Sequence, residues 1–289
     1  MVKPFIKWLG GKTQLLPNLE TKLPPHIKQS KQIPLYIEPF IGGGAFFFSL
    51  QTHYKIEKSI ISDLNTDLIN CYKDVKDNSQ ELIDNLSILQ NAYLQSNDKK
   101  KYYLEKRNEF NNSNQSVNKS SLLIFLNKTC FNGLFRVNSK NKFNVPFGKH
   151  ENPNIFDQEN IKSISKILQN TIILNVDFEL TKQYIEKDCF VYMDPPYRPI
   201  SKTSNFKQYT ANGFSNTDQV RLKDYCNYIK EKEGLVLISN SDPSMLNIND
   251  NYFEKLYDGF VIDKVKANRS INCIGSKRAK INELLITNY

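Results

Sequence analysis

Short apolar runs recur along the chain between polar or amphipathic stretches, and this pattern predicts an α/β fold. β-branched and aromatic residues dominate the runs, as in strands that a parallel sheet buries on both faces. The runs occupy residues 35–37, 59–61, 171–174, 190–193, 235–238, 260–262 and 284–286. Apolar residues at 222, 225, 226 and 229 have helical spacing and predict a helix between the fourth and fifth runs. We expect a mostly parallel, seven-stranded sheet covered by helices.

The second and third predicted strands are separated by over 100 residues, too many for one crossover. Helical spacing at 82, 83, 86 and 89 falls within this stretch, whereas the Asn- and Ser-rich segment 111–121 predicts a surface loop. We predict an inserted, mainly helical domain at 66–170 that carries a β-hairpin. Residues 1–65 and 171–289 would then form the sheet domain.

The segment Asp194-Pro195-Pro196-Tyr197 directly follows the fourth predicted strand. Neither proline can donate to a sheet ladder, so the strand ends here, at the edge where open α/β sheets bind ligands. Asp194 and the Pro195 carbonyl can accept hydrogen bonds from an exocyclic amine, and Tyr197 offers a ring face to a planar base. The pattern predicts a pocket for an extruded nucleobase, with a plain proline-rich turn as the alternative.

A triple glycine at 42–44 follows the first predicted strand and precedes an apolar helix start. Glycine allows a sharp turn and a close approach of the backbone to a ligand. Asp63, about 20 residues further on, ends the second predicted strand, where nucleotide-binding sheets place an acid on ribose hydroxyls. Together the two features predict a nucleoside-type cofactor, although each alone is compatible with a structural role.

Two further segments carry candidate binding residues. Residues 7–13 resemble a P-loop, but Ile6 stands where a Walker A motif needs glycine, so we reject that motif. Trp8 and Lys12 then suggest an aromatic wall and a cation near a ligand, or simple packing of the N-terminus. Residues 127–149 interleave Arg, Lys, Asn and aromatics, types that contact phosphates, base edges or base steps, and predict a hairpin with 139–142 at its tip. A basic surface hairpin is the alternative.

Composition narrows the function classes. A net charge of +9 and a pI of about 9.1 suit a nucleic-acid partner, with a generally basic enzyme as the alternative. Five scattered cysteines without C-x-x-C spacing and three distant histidines argue against a disulfide framework and a metal site. The start of the chain lacks a signal-peptide pattern and no stretch approaches the roughly 18 apolar residues of a membrane span, so we expect a cytoplasmic protein.

Taken in order, four motifs resemble the Dam-type, α-class adenine-N6 DNA methyltransferases. They are W-x-G-G-K at Trp8, P-F-x-G-G-G at Pro39, F-N-G-L-x-R with F-N-V-P-F-G at 131–148, and D-P-P-Y at Asp194. The match runs from about residue 3 to the C-terminus and is most similar to members that methylate the adenine of GATC. It implies a Rossmann-like fold, S-adenosylmethionine as cofactor, a flipped adenine and double-stranded DNA as substrate, with single strands left open. It also implies a monomer in a bacterial or phage-type cytoplasm, associated with the nucleoid through DNA.

The resemblance assigns roles residue by residue and no metal. Cofactor binding is implied for Trp8, Lys12, Pro39, Phe40, Gly42, Gly43, Gly44, Asp63, Asp177, Phe178 and Asp194. Catalysis is implied for Asp194, Pro195, Pro196 and Tyr197. DNA contact is implied for Lys7, Phe131, Asn132, Leu134, Arg136 and Pro146, with Lys7 and Arg136 reading guanines. Phe131 stands where the family often has an intercalating Tyr, and His150 replaces a frequent aromatic, so His150 receives no role.

Other functions remain open at this point. The methylated amino group could be cytosine N4, an RNA adenine or a glutamine side chain, although related enzymes of those classes more often carry Ser or Asn at the position of Asp194. A DNA-binding regulator on an inactive scaffold is the alternative from another class. The intact motifs at Gly42, Asp63, Asp194 and Tyr197 argue against it.

Overall fold

The computed structural model describes residues 2–198, 214–245, 247–268 and 280–289 of the 289-residue chain. Its helices are α1 (Leu16–Thr21), α2 (Pro25–Ser30), α3 (Ala45–His53), α4 (Thr66–Asp77), α5 (Ser79–Gln95), α6 (Lys99–Asn112), α7 (Val117–Thr129), α8 (Gln158–Leu168), α9 (Asn216–Glu231) and α10 (Tyr252–Leu256). Its strands are β1 (Gln32–Glu38), β2 (Lys55–Ser62), β3 (Thr171–Leu174), β4 (Phe190–Met193), β5 (Leu235–Ser241), β6 (Val261–Asn268) and β7 (Lys280–Thr287). Short 3₁₀ helices span Phe131–Gly133, Phe178–Tyr184 and Pro243–Met245.

The described strands form a seven-stranded sheet in the order β3-β2-β1-β4-β5-β7-β6. Strands β2, β1, β4 and β5 run parallel, whereas β7 is antiparallel to both β5 and β6. Each predicted apolar run coincides with or overlaps a strand, and the helix predicted between the fourth and fifth runs is α9. The predicted α/β fold with a mostly parallel sheet is therefore confirmed.

One compact unit comprises Lys12–Ile41, His53–Ser62 and Val176–Tyr289, and it holds β1, β2 and β4 to β7. All four residues of β4 are buried, which explains why this run shows no polar alternation. The strand order reverses between β1 and β4, so the carboxyl ends of these two parallel strands lie side by side. Open α/β sheets bind ligands at such a switch point.

The other compact unit comprises Met1–Gly11, Gly42–Thr52 and Asp63–Asn175, and it is mainly helical. Helix α7 lies at its core, because residues 120–127 are all buried. Helices α4, α5 and α6 pack against α7. The assignment of 66–170 to a target-recognition domain stays a prediction.

The prediction of a surface loop at 111–121 is wrong. Helix α6 continues to Asn112 and α7 begins at Val117, which leaves only 113–116 between them. The Ser116 side chain caps α7 by accepting a hydrogen bond from the Lys119 N–H at 3.2 Å, and Ser120 donates to Asp74 at 2.6 Å. Because such partners satisfy the polar side chains, a segment rich in Asn and Ser can be helical here.

The hairpin predicted after α7 is a tight antiparallel turn. Val137 and Phe143 pair in a single bridge, and the Asn138 N–H donates to the Lys142 carbonyl at 2.9 Å. The Asn138 side-chain oxygen accepts the N–H groups of Lys140 and Lys142 at 2.9 and 3.0 Å. The tip at 139–142 is as predicted, while the described pairing is shorter than a pair of full strands.

Candidate active site and nucleic-acid interface

The glycine turn at 42–44 is held by Asp63. The Asp63 carboxylate accepts the Gly42 N–H through Oδ2 at 3.1 Å and the Asn65 N–H through Oδ1 at 2.9 Å. Burial raises the pKa of the Asp63 carboxyl above its ordinary value, although these N–H groups act to lower it. The Asp63 side chain is half-buried, and an ionised carboxylate has about four acceptor sites. It can therefore still accept hydrogen bonds from ligand hydroxyls.

Trp8 packs directly on this turn. A Cβ atom at Gly42 would lie 2.8 Å from Trp8 Cδ1, and one at Gly43 would lie 3.2 Å from Trp8 Cβ. Gly42 also has a φ of 46°, a conformation that favours glycine. The indole stacks on Phe135, with ring centroids 5.4 Å apart and 24° between the planes. The structure thus brings Trp8, the glycine turn and Asp63 together, with Trp8 also serving in packing.

Gly44 connects the same turn to α3. Its carbonyl accepts the Phe48 N–H at 2.9 Å. The Tyr72 hydroxyl, from α4, donates to the Gly42 carbonyl at 3.1 Å. Two carbonyls of the turn are therefore satisfied from within the helical unit, which keeps the turn in one conformation.

Asp194 leaves β4 at its carboxyl end and meets two partners in the sheet unit. The Lys12 Nζ lies 2.8 Å from Asp194 Oδ1, and the Ser239 hydroxyl, from β5, donates to the same oxygen at 3.0 Å. Lys12 is 7% exposed and Asp194 20% exposed, so the carboxylate is sheltered yet reachable. Burial raises the pKa of the Asp194 carboxyl above its ordinary value, while Lys12 and Ser239 act to lower it.

Tyr197 lies three residues after Asp194 in the same motif. Pro195 is buried, Pro196 is exposed and Tyr197 is half-buried. The Tyr197 hydroxyl donates to Glu283 Oε2 at 2.9 Å, and the Lys12 Nζ lies 4.7 Å from the centroid of the Tyr197 ring. Burial, followed by the Asp194 and Glu283 charges, raises the pKa of the Tyr197 hydroxyl well above its ordinary value. The predicted residues Lys12, Asp194 and Tyr197 are therefore in contact.

Phe40 and Phe178 form an aromatic pair in the sheet unit, with ring centroids 5.4 Å apart. Asp177 caps the 3₁₀ helix Phe178–Tyr184 by accepting the Glu179 N–H at 3.0 Å, and it pairs with Arg221 at 2.8 Å. The carboxylate of Asp177 thus already has a structural task, and its cofactor role stays a prediction. The Pro39 carbonyl accepts the Ser62 hydroxyl at 3.1 Å, which fixes the end of β1 against β2.

Lys7 and the turn after α7 are joined by Asn127. The Asn127 side-chain oxygen accepts the Lys7 N–H at 2.8 Å, and its NH₂ group donates to the carbonyls of Lys7 at 2.8 Å and Gly133 at 3.0 Å. Gly133 has a φ of 62°, and a Cβ there would lie 2.5 Å from Lys7 Cδ. Lys7 and Asn127 are separated by 120 positions, and two predicted DNA-contact segments therefore meet in the helical unit.

The predicted wedge residues lie on the surface of the same unit. The Phe131 side chain is 46% exposed, and its N–H donates to the carbonyl of exposed Pro146 at 2.9 Å. Asn132 is exposed with a φ of 57°, and Leu134 is half-buried. An exposed aromatic beside a proline is a suitable shape for a wedge between base steps.

Arg136 is exposed and is oriented by one neighbour across the hairpin. Its Nε donates to the Asn144 side-chain oxygen at 2.7 Å, and its terminal NH₂ group donates to the Asn144 carbonyl at 3.1 Å. These contacts hold one edge of the guanidinium. A guanidinium has five donors in a fixed plane, so other donors stay available for a base edge.

The part of the chain that carries most of these residues matches a known protein family. Residues 8–271 match the description "D12 class N6 adenine-specific DNA methyltransferase". The chain belongs to this family. It is an enzyme that methylates adenine in DNA, which decides against the other amino groups and the non-catalytic regulator that the sequence left open.

Three relatives of this methyltransferase match nearly its whole length. The type II methyltransferase M.MjaIII of Methanocaldococcus jannaschii is 47% identical, with 100% of this chain and 99% of that protein covered. The type II methyltransferase M1.LlaDCHI of Lactococcus lactis subsp. cremoris is 41% identical, with coverage of 100% and 96%. A DNA adenine methylase of Haemophilus influenzae is 35% identical, with coverage of 98% and 92%.

Two residues that contact the predicted site residues were not singled out from the sequence. Ser239 directly follows the apolar run 235–238 and Glu283 directly precedes the run 284–286, yet their side chains contact Asp194 and Tyr197. A buried polar residue inside a strand pattern was the available clue. Asn127 and Asn144 are similar cases, since an Asn in a polar segment normally indicates only a surface.

The described part of this methyltransferase offers neither a metal-binding cluster nor a membrane-spanning helix. No group of three or more His, Cys, Asp or Glu side chains there could hold a metal ion. No helix there is long and apolar enough to cross a membrane.

Proposed function

We propose that this enzyme transfers a methyl group from S-adenosylmethionine to N6 of an adenine flipped out of duplex DNA, with GATC as its target. The observation that carries the proposal is the Asp194 carboxylate at the carboxyl end of β4, held by Lys12 and Ser239. A carboxylate that is mostly buried but still 20% exposed suits an exocyclic amine. Base flipping is the general way in which enzymes bring such an atom within reach.

Asp194 and the Pro195 carbonyl act as acceptors for the two N–H groups of the target amine. The N6 lone pair is delocalised into the adenine ring, so the free amine is a poor nucleophile. Two acceptors favour the more tetrahedral nitrogen that attacks, and they stabilise the positive charge that develops on it. Asp194 must be ionised for this task. Lys12 and Ser239 favour that form against the effect of burial.

The residue types at the predicted cofactor positions suit S-adenosylmethionine, which supplies a methyl group already activated as a sulfonium. In the helical unit, Asp63 accepts ribose hydroxyls while keeping the glycine turn in place, and Trp8 provides an aromatic wall. In the sheet unit, Phe40 and Phe178 provide an aromatic contact for the adenine ring of the cofactor. Because the methyl group needs no further activation, positioning supplies much of the rate.

Lys7 and Arg136 read guanines, and Phe131 with Pro146 forms the wedge that supports flipping. The support is geometric: Asn127 joins Lys7 to the Gly133 turn, and Asn144 orients Arg136. An Arg can span O6 and N7 of guanine, and such a pair contributes about 1–3 kcal/mol of discrimination. Residues 66–170 would thereby act as the target-recognition domain.

The direct test incubates the purified enzyme with S-adenosylmethionine and a duplex carrying one GATC site. The expected product resists an endonuclease that adenine methylation blocks at GATC, and mass spectrometry of its nucleosides detects N6-methyladenine. A duplex with GTTC in place of GATC is the matched control, and a single-stranded GATC oligonucleotide tests strand preference. N6-methyladenine at another sequence with GATC unmodified would refute the target, and its absence from every DNA would refute the function.

A further inference from the structure

Glu283 lies at the same sheet edge as Asp194, although sequence analysis assigns it no role. It is the fourth residue of β7 and stands opposite Ser241, the last residue of β5. Paired residues on antiparallel strands project to one face, so the Glu283 side chain projects on the Ser241 face. Strand β5 neighbours β4, whose carboxyl end carries Asp194. Glu283 is only 8% exposed, and burying a carboxyl costs free energy unless a hydrogen-bonding partner compensates for the lost water.

The hydrogen-bonding partner of Glu283 is Tyr197. The Tyr197 hydroxyl donates to Glu283 Oε2 at 2.9 Å across 86 positions of sequence. The Lys12 Nζ lies 4.7 Å from the Tyr197 ring centroid and 2.8 Å from Asp194. The ring is thus held at its hydroxyl by Glu283 and over its face by Lys12.

The direction of this hydrogen bond is fixed by the charges around it. Burial raises the pKa of the Tyr197 hydroxyl well above its ordinary value, and the Asp194 and Glu283 charges raise it further. The hydroxyl therefore keeps its proton and remains the donor. Burial also raises the pKa of the Glu283 carboxyl, Lys12 lowers it, the Asp194 charge raises it, and the Tyr197 hydrogen bond lowers it. In either protonation state Glu283 retains an oxygen that accepts.

We propose that Glu283 is a positioning residue for the target base, acting through the Tyr197 hydroxyl to set the ring on which the base stacks. The proposal rests on the proposed function, since it takes Tyr197 as the stacking partner of a flipped adenine. A Tyr ring that already has its final orientation loses no side-chain entropy when the base arrives. Lys12 covers one part of the ring, so the base stacks where Lys12 leaves it open.

The experiment is a double-mutant cycle between Tyr197→Phe and Glu283→Ala. Each single change removes the same hydrogen bond, so each should lower kcat/KM on a GATC duplex by about tenfold. If Glu283 acts through the hydroxyl, the double variant should lose no more than either single variant. Losses that multiply to about a hundredfold would overturn the proposal.

A second readout separates positioning from general structure. Affinity for a GATC duplex should fall in both variants, whereas affinity for the same duplex with an abasic target position should not change, because no base stacks there. An equal loss on both duplexes would overturn the proposal. Glu283→Gln keeps an acceptor for the hydroxyl and should stay within about threefold of the wild type. A loss for Glu283→Gln as large as that for Glu283→Ala would also count against it.

Controls keep the outcomes distinct. Glu159→Ala removes an 81% exposed carboxylate on α8 and should leave both readouts unchanged. Should Glu283→Ala fail to fold, Glu283→Met, which has a side chain of similar length but no carboxyl acceptor, replaces it in the cycle with the same expected outcomes. A wild type inactive on all DNA would refute the proposed function and this inference with it. An active wild type with multiplicative variants would refute this inference alone.

Discussion

The carboxyl end of β4, called the β4 edge below, lies in the sheet unit and carries Asp194. The β4 edge and the hairpin of the helical unit use charged side chains in opposite ways. At the β4 edge, Asp194, Lys12 and Glu283 are mostly buried, and each is in contact with another charged or hydroxyl group of the site. In the hairpin, Arg136 is exposed and hydrogen-bonded to Asn144. Methyl transfer to one atom needs side chains that already have their final positions before the substrate binds. A misplacement of about 1 Å can lower the rate about a hundredfold. Reading a base edge needs donors that can face the DNA.

The two regions also differ in their electrostatics. Burial shifts the pKa of the Asp194 and Tyr197 groups upward, so their protonation depends on close neighbours. The Arg136 guanidinium, in contrast, lies at the exposed surface and is oriented by Asn144. Substitutions at the β4 edge should therefore alter turnover and pH dependence, whereas substitutions in the hairpin should alter sequence preference.

Asp194→Ala should have the largest effect, and it tests the catalytic role proposed for the β4 edge. It deletes the proposed acceptor for the target amine and removes the ion pair in which Lys12 Nζ lies 2.8 Å from Asp194. We expect single-turnover methylation to fall by about a thousandfold, the scale for losing one preorganised transition-state contact. Asp194→Asn, which keeps one acceptor oxygen, should lose less.

The control for this variant is Asp258→Ala, which removes an exposed carboxylate of the same unit and should change nothing. Circular dichroism and thermal unfolding verify that all three proteins fold. Near-wild-type turnover in folded Asp194→Ala would show that the β4 edge is not the reaction site.

Asp63→Ala tests the proposed cofactor contact beside the glycine turn of the helical unit. We expect cofactor affinity to weaken by about 1.5–3 kcal/mol, the scale of hydrogen bonds to a charged group. Asp63→Asn retains the oxygen that accepts a backbone N–H and should weaken it less. Calorimetry with S-adenosylmethionine measures both variants, while DNA affinity without cofactor should change little. Unchanged cofactor affinity in Asp63→Ala would refute the ribose contact.

Arg136→Ala tests the reading half of the comparison. Losing a guanidinium that spans a guanine edge should relax the requirement at one guanine of GATC by about 1–3 kcal/mol. Lys140→Ala, at the hairpin tip, should instead weaken all DNA alike and reduce the salt slope by about one. Methylation rates on GATC and every single-base variant separate the two behaviours. Equal loss on all sequences in Arg136→Ala would mean that Arg136 contacts the DNA backbone.

Lys12→Met should have the smallest and most specific effect, a shift of the pH profile. In the proposed mechanism activity needs ionised Asp194, so the rate should fall as pH drops through the pKa of that carboxyl. Lys12 lowers this pKa, so removing its charge should move the acid limb to higher pH. Lys187→Met, which removes an exposed partner of Glu233, is the control and should leave the limb in place. If the acid limb of the pH–rate profile does not shift in Lys12→Met, a group other than Asp194 controls that limb.

Local patterns predicted much of this protein because their causes are local. A buried parallel strand shows as a continuous apolar run, and two prolines end it, so β4 and the position of Asp194 at its end follow from neighbouring residues. The segment 111–121 shows the limit of that reasoning. Its composition predicts a loop, but Ser120 finds Asp74 across 46 positions, and the segment is largely helical.

Local sequence patterns were sufficient to predict the strands of the sheet, the position of Asp194 at the end of β4 and the family motifs. The side chains that contact Asp194 and Tyr197 follow from three-dimensional packing. Ser239 reaches Asp194 across 45 positions and Glu283 reaches Tyr197 across 86. Both contacts depend on strand order, and in particular on β7 lying antiparallel between β5 and β6. Periodicity records whether a residue is buried, but strand order arises from packing among distant segments, so local patterns cannot specify it.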